Sequence, residues 1–477
     1  MKIPVAVAYG DGIGPEIMKA VLYVLSEAGA DLDLQTIEIG EKVYLSGHPT
    51  GIAPSSWEVI KQCKAFLKAP ITTPQGGGFK SLNVTIRTTL GLFANIRPSV
   101  AYAPFIRTKH PKMDVVIVRE NEEDLYTGIE YRQTPHMCES LKIISREGCE
   151  RIIQQAFDYA RQHGRKKVSC FTKDNIMKWS DGLFHQIFEE IAQEYPDLEH
   201  EHWIVDIGAA KLADTPEQFD VIVLPNLYGD ILSDVAAQIS GSVGLAGSAN
   251  LGSHGAMFEA IHGSAPKRAG QNIANPSGLL LSSVFMLNYL GMPSIAERIH
   301  NAWLKTLEEG IHTYDIFQEG KSFLKVGTLE FAHAVAKYLG QTPSTLPAVS
   351  YASVQKIFSF PLHTTIHCQR ELMGVDVFIY ARQEAADFLK RIHSFASSLR
   401  LGFVANRGVR IWPEGHPETS CSEQWRCRFL HVEKGYSIHP KQIVQLLQGL
   451  FDDGYDVIKT ENLYRMDGHL CYSSSEE

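Results

Sequence analysis

The chain has 477 residues, of which 44% are hydrophobic and 21% are charged, and its formal net charge at pH 7 is −9. This length predicts two or three domains, and the composition is typical of an ordinary water-soluble globular protein. The acidic balance argues against a general nucleic-acid binder, which would carry a basic surface.

The cysteines and the first residues indicate the compartment. The eight cysteines form no C-x-x-C pair and no zinc-binding spacing, which predicts free thiols in a reducing compartment. The chain reaches Asp11 too early for the apolar core of a signal peptide, and no run approaches the ~20 apolar residues that span a bilayer. We therefore expect a soluble, cytoplasmic protein without a membrane or nucleic-acid partner.

Strand-like and helix-like segments alternate from Ile3 to about Gly340, which predicts an α/β architecture. The first of them, AYGDGIGPE at Ala8–Glu16, predicts a strand, a turn and a helix, but its glycines miss the Rossmann spacing. The other predicted strands are Val115–Arg119, Lys167–Phe171 and Val221–Pro225, and the main predicted helices are Glu150–Gln162, Gly182–Glu194 and Ile295–Glu309.

The pattern restarts after a linker at residues 341–350, which is rich in Pro, Ser and Thr. The order of elements beyond it is β-α-β-β-α-β, the plan of ferredoxin-like domains. The predicted elements are Val375–Tyr380, the helix Glu384–Leu399, Leu401–Ala405, Trp425–Val432, the helix Pro440–Phe451 and Asp456–Lys459.

Two groups of residues in this C-terminal part are candidate sites. Trp425, Arg426 and Arg428 fit either an interface or core packing and surface charge. His363 and His367 share a possible helix face, but without a third ligand we interpret them as structural.

The densest polar cluster lies in the first third of the chain and consists of Ser81, Asn83, Arg87, Arg97 and Arg119. An arginine can donate paired hydrogen bonds to a carboxylate. A single arginine is more often paired with a nearby Asp or Glu. The three together with the two polar neighbours favour a polyanionic small molecule.

A second cluster is built on two aspartates four residues apart, Asp230 and Asp234, after the apolar segment Val221–Pro225. This spacing puts both carboxylates on one face of a helix, where a cation between them would offset their repulsion. Oxygen ligands suit Mg²⁺ or Mn²⁺. Asp206, which ends a predicted strand Trp203–Val205, is a candidate third ligand. Solvated aspartates remain the alternative explanation.

A third cluster is the loop from Glu259 to Gly270, followed by Asn275. Its small residues let backbone N–H groups approach a phosphate, and Lys267 and Arg268 offer two cations to a doubly charged group. The glycines before Ser81 lack the P-loop frame, so a kinase or NTPase function is not favoured.

Six blocks carry a family resemblance: GDGIGPE, TTPQGGGFKSLNVTIR, RENEEDLYTGIE, KDNIMKWSDG, NLYGDILSD and EAIHGSAPKRAGQNIANP. In this order they resemble the β-decarboxylating dehydrogenases, and within them the isocitrate-specific members. The resemblance covers about the first 340 residues, and residues 351–477 resemble the extension of a longer bacterial branch.

This resemblance implies the α/β fold of isocitrate/isopropylmalate dehydrogenases, which is not a Rossmann fold. The implied domains are a large cofactor-binding domain at 1–92 and 241–340 and a small dimerisation and substrate domain at 93–240. The linker at 341–350 and a C-terminal α+β ferredoxin-like domain at 351–477 follow.

The implied reaction is the metal-dependent oxidative decarboxylation of isocitrate to 2-oxoglutarate and CO₂ with reduction of NADP, a step of the tricarboxylic acid cycle. By position, Arg87, Arg97 and Arg119 would bind carboxylates, and Ser81 and Asn83 would bind the third carboxylate. Lys173 would be the base and Tyr126 the acid. Asp206, Asp230 and Asp234 would hold Mg²⁺ or Mn²⁺.

The resemblance also implies how the cofactor and the partner are bound. The implied cofactor contacts are Thr73, Glu259, His262, Gly263, Ser264, Ala265, Lys267, Arg268, Asn275 and Tyr314. Lys267 and Arg268 favour NADP, whereas Gln318 replaces an arginine of NADP-dependent members, so NAD stays the alternative. In the family the equivalents of Lys173 and Asp206 come from the partner subunit, which implies a homodimer with shared active sites; a larger assembly is left open.

Other functions compete with this prediction. A relative acting on homoisocitrate, isopropylmalate or tartrate is disfavoured by Ser81 and Asn83. A non-catalytic regulatory subunit of the same fold would typically lack base or metal residues that are present here. An RNA-binding C-terminal domain would need an RNP-like aromatic segment, which the sequence lacks.

Overall fold

The computed structural model describes residues 2–73, 81–351, 368–415 and 419–473. His363, His367 and most of the glycine-rich stretch before Ser81 lie outside these ranges. The chain forms two compact units, one of residues 1–128 and 141–361 and the other of residues 129–140 and 362–477. No helix in the described ranges is long and apolar enough to cross a membrane.

The described strands number twenty, in chain order. They are β1 Ile3–Ala8, β2 Leu32–Ile37, β3 Ala65–Lys68, β4 Ala94–Val100, β5 Asp114–Glu120, β6 Glu130–Thr134, β7 Met137–Ser140, β8 Lys167–Thr172, β9 Glu199–Ile204, β10 Val221–Leu224, β11 Gly247–Leu251, β12 Ala256–Ala260, β13 Ile311–His312, β14 Leu324–Lys325, β15 Arg370–Tyr380, β16 Arg400–Asn406, β17 Val409–Trp412, β18 Gln424–Leu430, β19 Asp456–Met466 and β20 His469–Leu470.

The described α-helices number thirteen. They are α1 Gly14–Glu27, α2 Glu41–Leu45, α3 Pro54–Gln62, α4 Leu82–Thr89, α5 Arg146–Gln162, α6 Ser180–Ala192, α7 Val205–Asp214, α8 Asn226–Ser240, α9 Ser277–Tyr289, α10 Pro293–Glu308, α11 Thr328–Lys337, α12 Ala385–Ser394 and α13 Pro440–Asp452.

The first unit is built on one ten-stranded sheet in the order β2-β1-β3-β12-β11-β4-β5-β10-β8-β9. The β11–β12, β11–β4 and β4–β5 pairs are antiparallel and the others are parallel. This mixed sheet is not the parallel sheet of a Rossmann domain. It confirms the predicted α/β fold class.

The apolar strands are buried on both faces of this sheet. Val5 and Val7 of β1 pack into one hydrophobic cluster, and Ala6 and Ala8 pack into another. Alternate side chains of β5 divide between two further clusters in the same way. Successive side chains of a strand point to opposite faces, so a continuous apolar run is expected where helices cover both.

The second unit contains a six-stranded sheet in the order β17-β16-β18-β15-β19-β20. Its central order, β16-β18-β15-β19, is antiparallel and is that of a ferredoxin-like domain, as predicted. The hairpin strand β17 and the short β20 extend the predicted plan at the two edges. The hairpin β6–β7 also belongs to this unit, since Glu139 accepts a hydrogen bond from Gln424 over 2.9 Å.

Two of the three residues considered as an interface in this unit are internal, whereas the Arg426 side chain is 29% exposed. Trp425 is fully buried and its ring stacks on Phe388 with centroids 4.4 Å apart. Arg428 donates to both oxygens of Asp376 over 2.7 and 2.8 Å, and both residues are buried. Core packing, one of the two explanations left open, therefore accounts for Trp425 and Arg428.

Several predicted boundaries were wrong. Strand β15 begins at Arg370 instead of Val375, and strand β19 runs to Met466 instead of Lys459. The helix predicted to reach Leu399 ends at Ser394, because Phe395 takes an extended backbone, yet Leu399 is still buried. Strand β9 ends at Ile204, so Asp206 lies in the first turn of α7 rather than at a strand end. The division of residues 1–340 into two domains at 92 and 240 stays a prediction.

Candidate active site

Three arginine side chains from different elements lie around one part of the first unit. Arg87 lies on α4, Arg97 on β4 and Arg119 on β5, and they are 6%, 3% and 0% exposed. A cavity of about 170 Å³ is lined by Arg87 and Arg97 together with Ser81, Asn83, Tyr126, Asp230, Glu259, His262 and Gly263. The structure thus brings together most of the predicted substrate residues.

Polar side chains of α8 hold two of these arginines. Arg119 donates to Asn226 Oδ1 from Nε and Nη2 over 3.1 and 2.7 Å, and its Nη1 donates to Asp230. Arg97 Nη1 donates to Ser233 Oγ over 2.7 Å and lies 3.5 Å from Asp230 Oδ1. Burial lowers the pKa of Arg119, and its positive neighbours lower it further. These contacts fix both guanidinium groups before any ligand binds.

Arg87 is held by a buried carboxylate. Its Nη2 donates to Glu259 Oε1 over 2.9 Å, and Lys68 Nζ lies 2.6 Å from Glu259 Oε2. Burial alone would raise the pKa of Glu259, but Lys68 and Arg87 outweigh it and hold that pKa well below its usual range. Both oxygens of Glu259 are therefore engaged within the chain. Its predicted contact with the cofactor stays a prediction.

Tyr126 and Asp230 form a hydrogen-bonded pair, in which the phenol donates to Asp230 Oδ2 over 2.6 Å. Burial raises the pKa of Tyr126 to about 12, and the neighbouring Asp230 carboxylate adds to that rise against the opposing effect of Arg119. Burial also raises the pKa of Asp230, but Arg119, Arg97 and the phenol together bring it below its ordinary value. At neutral pH the phenol keeps its proton and the aspartate is charged.

Several polar atoms at the cavity have no hydrogen-bond partner in the described part of the chain. They are Asn83 Oδ1, Arg87 Nε and His262 Nε2, and all are buried. A buried polar group without a partner costs about 1–3 kcal/mol. Such groups fit a ligand that carries carboxylates and hydroxyls.

The predicted metal ligands do not come together within one chain. Asp230 and Asp234 lie one turn apart on α8, with side chains 42% and 61% exposed. Asp206 instead pairs with Lys173, whose Nζ donates to Asp206 Oδ2 over 2.8 Å. Among the described residues, the acidic, histidine and cysteine side chains that cluster closely enough to hold an ion are Asp174, His185 and His202. The oxygen-only chemistry of Asp230 and Asp234 fits Mg²⁺ or Mn²⁺.

Exposed apolar side chains adjoin both groups of predicted catalytic residues. Ile176 and Trp179, just after Lys173, are 68% and 61% exposed. Ile207, next to Asp206, and Ile231, next to Asp230, are 48% and 53% exposed. Large apolar groups exposed at such positions favour a protein interface.

The opening glycine turn supports the loop after β12. Gly12 has φ +58°, and a Cβ there would lie 2.0 Å from the Ser264 carbonyl oxygen. Ile13 N donates to that same oxygen over 2.9 Å. Asp11 Oδ2 accepts from Thr72 N over 2.9 Å. The glycine is required by this close approach and by its left-handed backbone.

Several predicted cofactor residues lie on the loop after β12 or in segments near it. Pro266–Arg268 form a short 3₁₀ turn after Ala265, which has φ +39°. Arg268 donates to the hydroxyl of Tyr314, and its guanidinium lies 4.9 Å from that ring's centroid. Lys267 is exposed, and Asn275 Nδ2 donates to Asp315 Oδ2 over 3.0 Å. Arg268 and Tyr314, 46 residues apart, are thus neighbours in the fold.

Thr73 lies by the substrate residues, since its hydroxyl and that of Ser81 are 3.5 Å apart. The sequence interpretation missed Lys68, Asn226 and Ser233, which position the arginines. The only available indication for Lys68 was its own position, as a charged residue at the end of the short apolar segment that forms β3. Asn226 and Ser233 stand within a block already singled out for its aspartates, and only the fold shows what they contact.

A mixed α/β sheet, an arginine-lined pocket and a carboxylate pair beside a phenol define the class of dehydrogenases that act on hydroxy acids with several carboxylates. The chain belongs to one family of that class, described as isocitrate/isopropylmalate dehydrogenase, whose match covers residues 4–335. Residues 370–477 match the family described as the C-terminal domain of bacterial isocitrate dehydrogenase.

Individual relatives are similar along nearly the whole chain. A Rickettsia typhi protein named isocitrate dehydrogenase [NADP] is 53% identical over 99% of each chain. A Thermus thermophilus protein of the same name is 42% identical over 99% of this chain and 95% of its own. A crystal structure of a Thermus thermophilus protein superposes with a TM-score of 0.92 at 39% identity, covering 99% of this chain and 96% of that one.

Proposed function

We propose that the protein is an NADP-dependent isocitrate dehydrogenase, which converts isocitrate to 2-oxoglutarate and CO₂ in the tricarboxylic acid cycle. The observation that carries this proposal is the convergence of Arg87, Arg97, Tyr126 and Asp230 at one pocket, with Arg119 bonded to Asp230. Full-length relatives with the same name support the substrate and the cofactor.

The pocket fits a tricarboxylate with one hydroxyl group. Arg87 and Arg97 line it with buried guanidinium groups, and Arg119 stands behind Asp230. Ser81 and Asn83 line the same wall, where they would receive the third carboxylate. An isopropyl group in place of that carboxylate would offer no acceptor to the Ser81 hydroxyl or the Asn83 amide N–H, which opposes binding of isopropylmalate.

Two side chains transfer the protons of the proposed reaction. The partner subunit's Lys173 takes the hydroxyl proton, directly or through water, as hydride leaves the substrate carbon. After CO₂ departs, Tyr126 delivers a proton to the enol carbon. A phenol with a pKa of about 12 that already donates a hydrogen bond inside the pocket is suited to that role.

Residues for the metal and the cofactor are also present. Asp230 and Asp234, with the partner subunit's Asp206, would hold Mg²⁺ or Mn²⁺, which supplies Lewis-acid polarisation of the hydroxyl and the adjacent carboxylate. The loop around Ser264 with Lys267, Arg268 and Tyr314 would hold NADP, whose nicotinamide accepts the hydride. The hydrogen bond between Arg268 and Tyr314 supports a phosphate site at this loop, because it holds a guanidinium group beside the tyrosine.

A homodimer with shared sites completes this arrangement. Within one chain Lys173 and Asp206 pair with each other, and no described contact joins that pair to Asp230. The exposed Ile176, Trp179 and Ile207 lie close to the pair in the sequence, and Ile231 follows Asp230. Docking of a second copy would bury these side chains and bring the two halves together. A cytoplasmic location is consistent with eight cysteines that are all free thiols.

The direct test is the absorbance of reduced nicotinamide, measured with Mg²⁺, D-isocitrate and either NADP⁺ or NAD⁺. Isopropylmalate and homoisocitrate serve as comparison substrates. We expect rapid reduction of NADP⁺ with isocitrate alone. A preference for NAD⁺ would overturn the cofactor assignment, and absence of turnover with every pair would favour the regulatory-subunit alternative.

The shared site is tested by mixing two inactive variants. Lys173→Met and Tyr126→Phe each remove one residue of every site in a homodimer. In a mixed dimer, one of the two sites would receive both native residues. We expect activity to return when the variants are refolded or co-expressed together, whereas sites contained in single chains would give no recovery.

A further inference from the structure

We propose that Asp174, His185 and His202 form a second divalent-metal site, of the kind that binds Zn²⁺, distinct from the carboxylate site at Asp230. The ligand atoms of these three side chains all lie within 4.8 Å of one another. They come from three elements: Asp174 follows β8, His185 lies on α6 and His202 lies on β9.

The distances are close to those that a tetrahedral ion requires. His185 Nδ1 lies 2.7 Å from Asp174 Oδ2, and His202 Nε2 lies 3.9 Å from the same oxygen. Ligands about 2.0–2.1 Å from a tetrahedral Zn²⁺ are separated by roughly 3.3 Å, which lies between these values. Binding would therefore change each of these two distances by about 0.6 Å, which side-chain rotation can supply.

The chemistry of the ligands differs from that of the catalytic carboxylates. Two imidazoles and one carboxylate suit zinc, whereas Mg²⁺ prefers oxygen ligands alone. The side chains of His185, Asp174 and His202 are 29%, 20% and 15% exposed, so an ion can enter while bulk water is partly excluded. A water molecule would complete the coordination.

A neighbouring acid can orient one of the imidazoles. His185 Nε2, the ring nitrogen not used for the metal, lies 3.6 Å from Glu189 Oε1. A metal-binding histidine typically donates its other N–H to a carboxylate. The rings of His185 and His202 stack with centroids 3.5 Å apart and an interplanar angle of 14°, and Thr172 Oγ1 lies 2.8 Å from His202 Nε2. Because the lone pairs of stacked rings lie in nearly parallel planes, one ring would rotate out of the stack to bind the same ion. In the metal-bound form the threonine hydroxyl would give up that contact.

The cluster lies next to the two segments that carry Lys173 and Asp206. Asp174 directly follows Lys173, and His202 precedes Asp206 by four residues. A bound ion would tie together the two segments from which Lys173 and Asp206 project. We expect it to restrict their motion and so to change the rate of turnover without contacting the substrate.

The test uses the full-length, chelator-treated protein in saturating Mg²⁺ and isocitrate, so that the carboxylate site is filled. Zn²⁺ binding is measured by competition with a fluorescent zinc indicator. We expect one zinc per chain, weakened by more than about 10-fold in His185→Gln and in His202→Gln. His200→Gln is the matched control, because His200 lies on the same strand but outside the cluster, with its Nε2 3.7 Å from Glu189 Oε2.

Equal binding by all four proteins would overturn the proposal, and so would loss of binding in His200→Gln alone. If the His185 or His202 variant does not fold, Co²⁺ bound to the unchanged protein decides the question. An intense visible spectrum of a tetrahedral ion supports the site, and a weak octahedral spectrum refutes it. Because no step of this test depends on turnover, its failure is distinguishable from failure of the proposed activity.

Discussion

Arg87 and Glu259 are 172 positions apart in the chain, yet Arg87 Nη2 donates to Glu259 Oε1 over 2.9 Å in the buried wall of the pocket. Lys68 neutralises the other oxygen of the same carboxylate. One acidic side chain therefore orients a substrate arginine and compensates a buried lysine.

The first prediction concerns this carboxylate. Glu259→Gln leaves the buried Lys68 and part of Arg87 without a counter-charge, which should lower the free energy of unfolding by about 3 kcal/mol or more. It should also raise KM for isocitrate, because Arg87 is no longer held. Urea denaturation and steady-state kinetics measure both effects.

The matched control for that change is Glu309→Gln. Glu309 pairs with Lys305 over 2.9 Å, but its side chain is 42% exposed. Exposed pairs contribute about 0–1 kcal/mol. Equal losses in the two variants would contradict the structural role assigned to Glu259.

The second prediction concerns the proposed acid. Tyr126→Phe keeps the ring beside Arg119 but removes the proton donor, so kcat should fall about 10²–10⁴-fold while KM for isocitrate changes little. Tyr131→Phe, at a side chain that is 53% exposed, should leave kcat unchanged. A large rise in KM with kcat preserved would assign Tyr126 to substrate binding instead.

The third prediction concerns cofactor choice. Replacing Lys267 and Arg268 together by Glu should raise KM for NADP⁺ by about 10–100-fold, because two charge-assisted hydrogen bonds to a phosphate are lost. KM for NAD⁺, which lacks that phosphate, should change far less. Replacing the exposed Lys19 and Lys112 together by Glu makes the same change in net charge and is the control. Parallel losses with both cofactors would contradict a role in binding the 2′-phosphate.

The fourth prediction is a pH dependence of stability. His300 Nδ1 lies 2.7 Å from the Tyr351 hydroxyl, and burial lowers the pKa of His300 to about 4. Between about pH 6.5 and pH 4 the unfolded chain holds a proton at this position that the folded chain does not. The free energy of unfolding should therefore fall on acidification across that range, by at most about 3 kcal/mol from this residue.

His300→Gln can keep the hydrogen bond but cannot titrate, so the variant should lose less stability than the unchanged protein on acidification from neutral pH. The exposed His254→Gln is the control and should follow the unchanged protein. Identical pH profiles for all three proteins would exclude His300 as a source of the dependence.

Local patterns were enough to predict much of the fold. The continuous apolar run of β5 predicted a strand, and its observed bounds differ from the predicted ones by one residue at each end. The apolar spacing of α13 predicted a helix that begins at Pro440, as observed. The end of α12 could not be predicted, because Leu399 is buried without being helical and so continues the apolar pattern.

Residue types and short spacings, which the linear sequence contains, were sufficient to predict the family, the candidate residues and the order of the elements. Which side chains meet is established by folding alone. The fold pairs Arg87 with Glu259, gives Arg97 and Arg119 the shared partner Asp230, and leaves Asp206 paired with Lys173 within one chain. It also brings His185 and His202 into contact from a helix and a strand. Contacts between residues distant in the chain depend on the order of the strands in the sheet and on where the helices pack against it. Local sequence patterns determine neither.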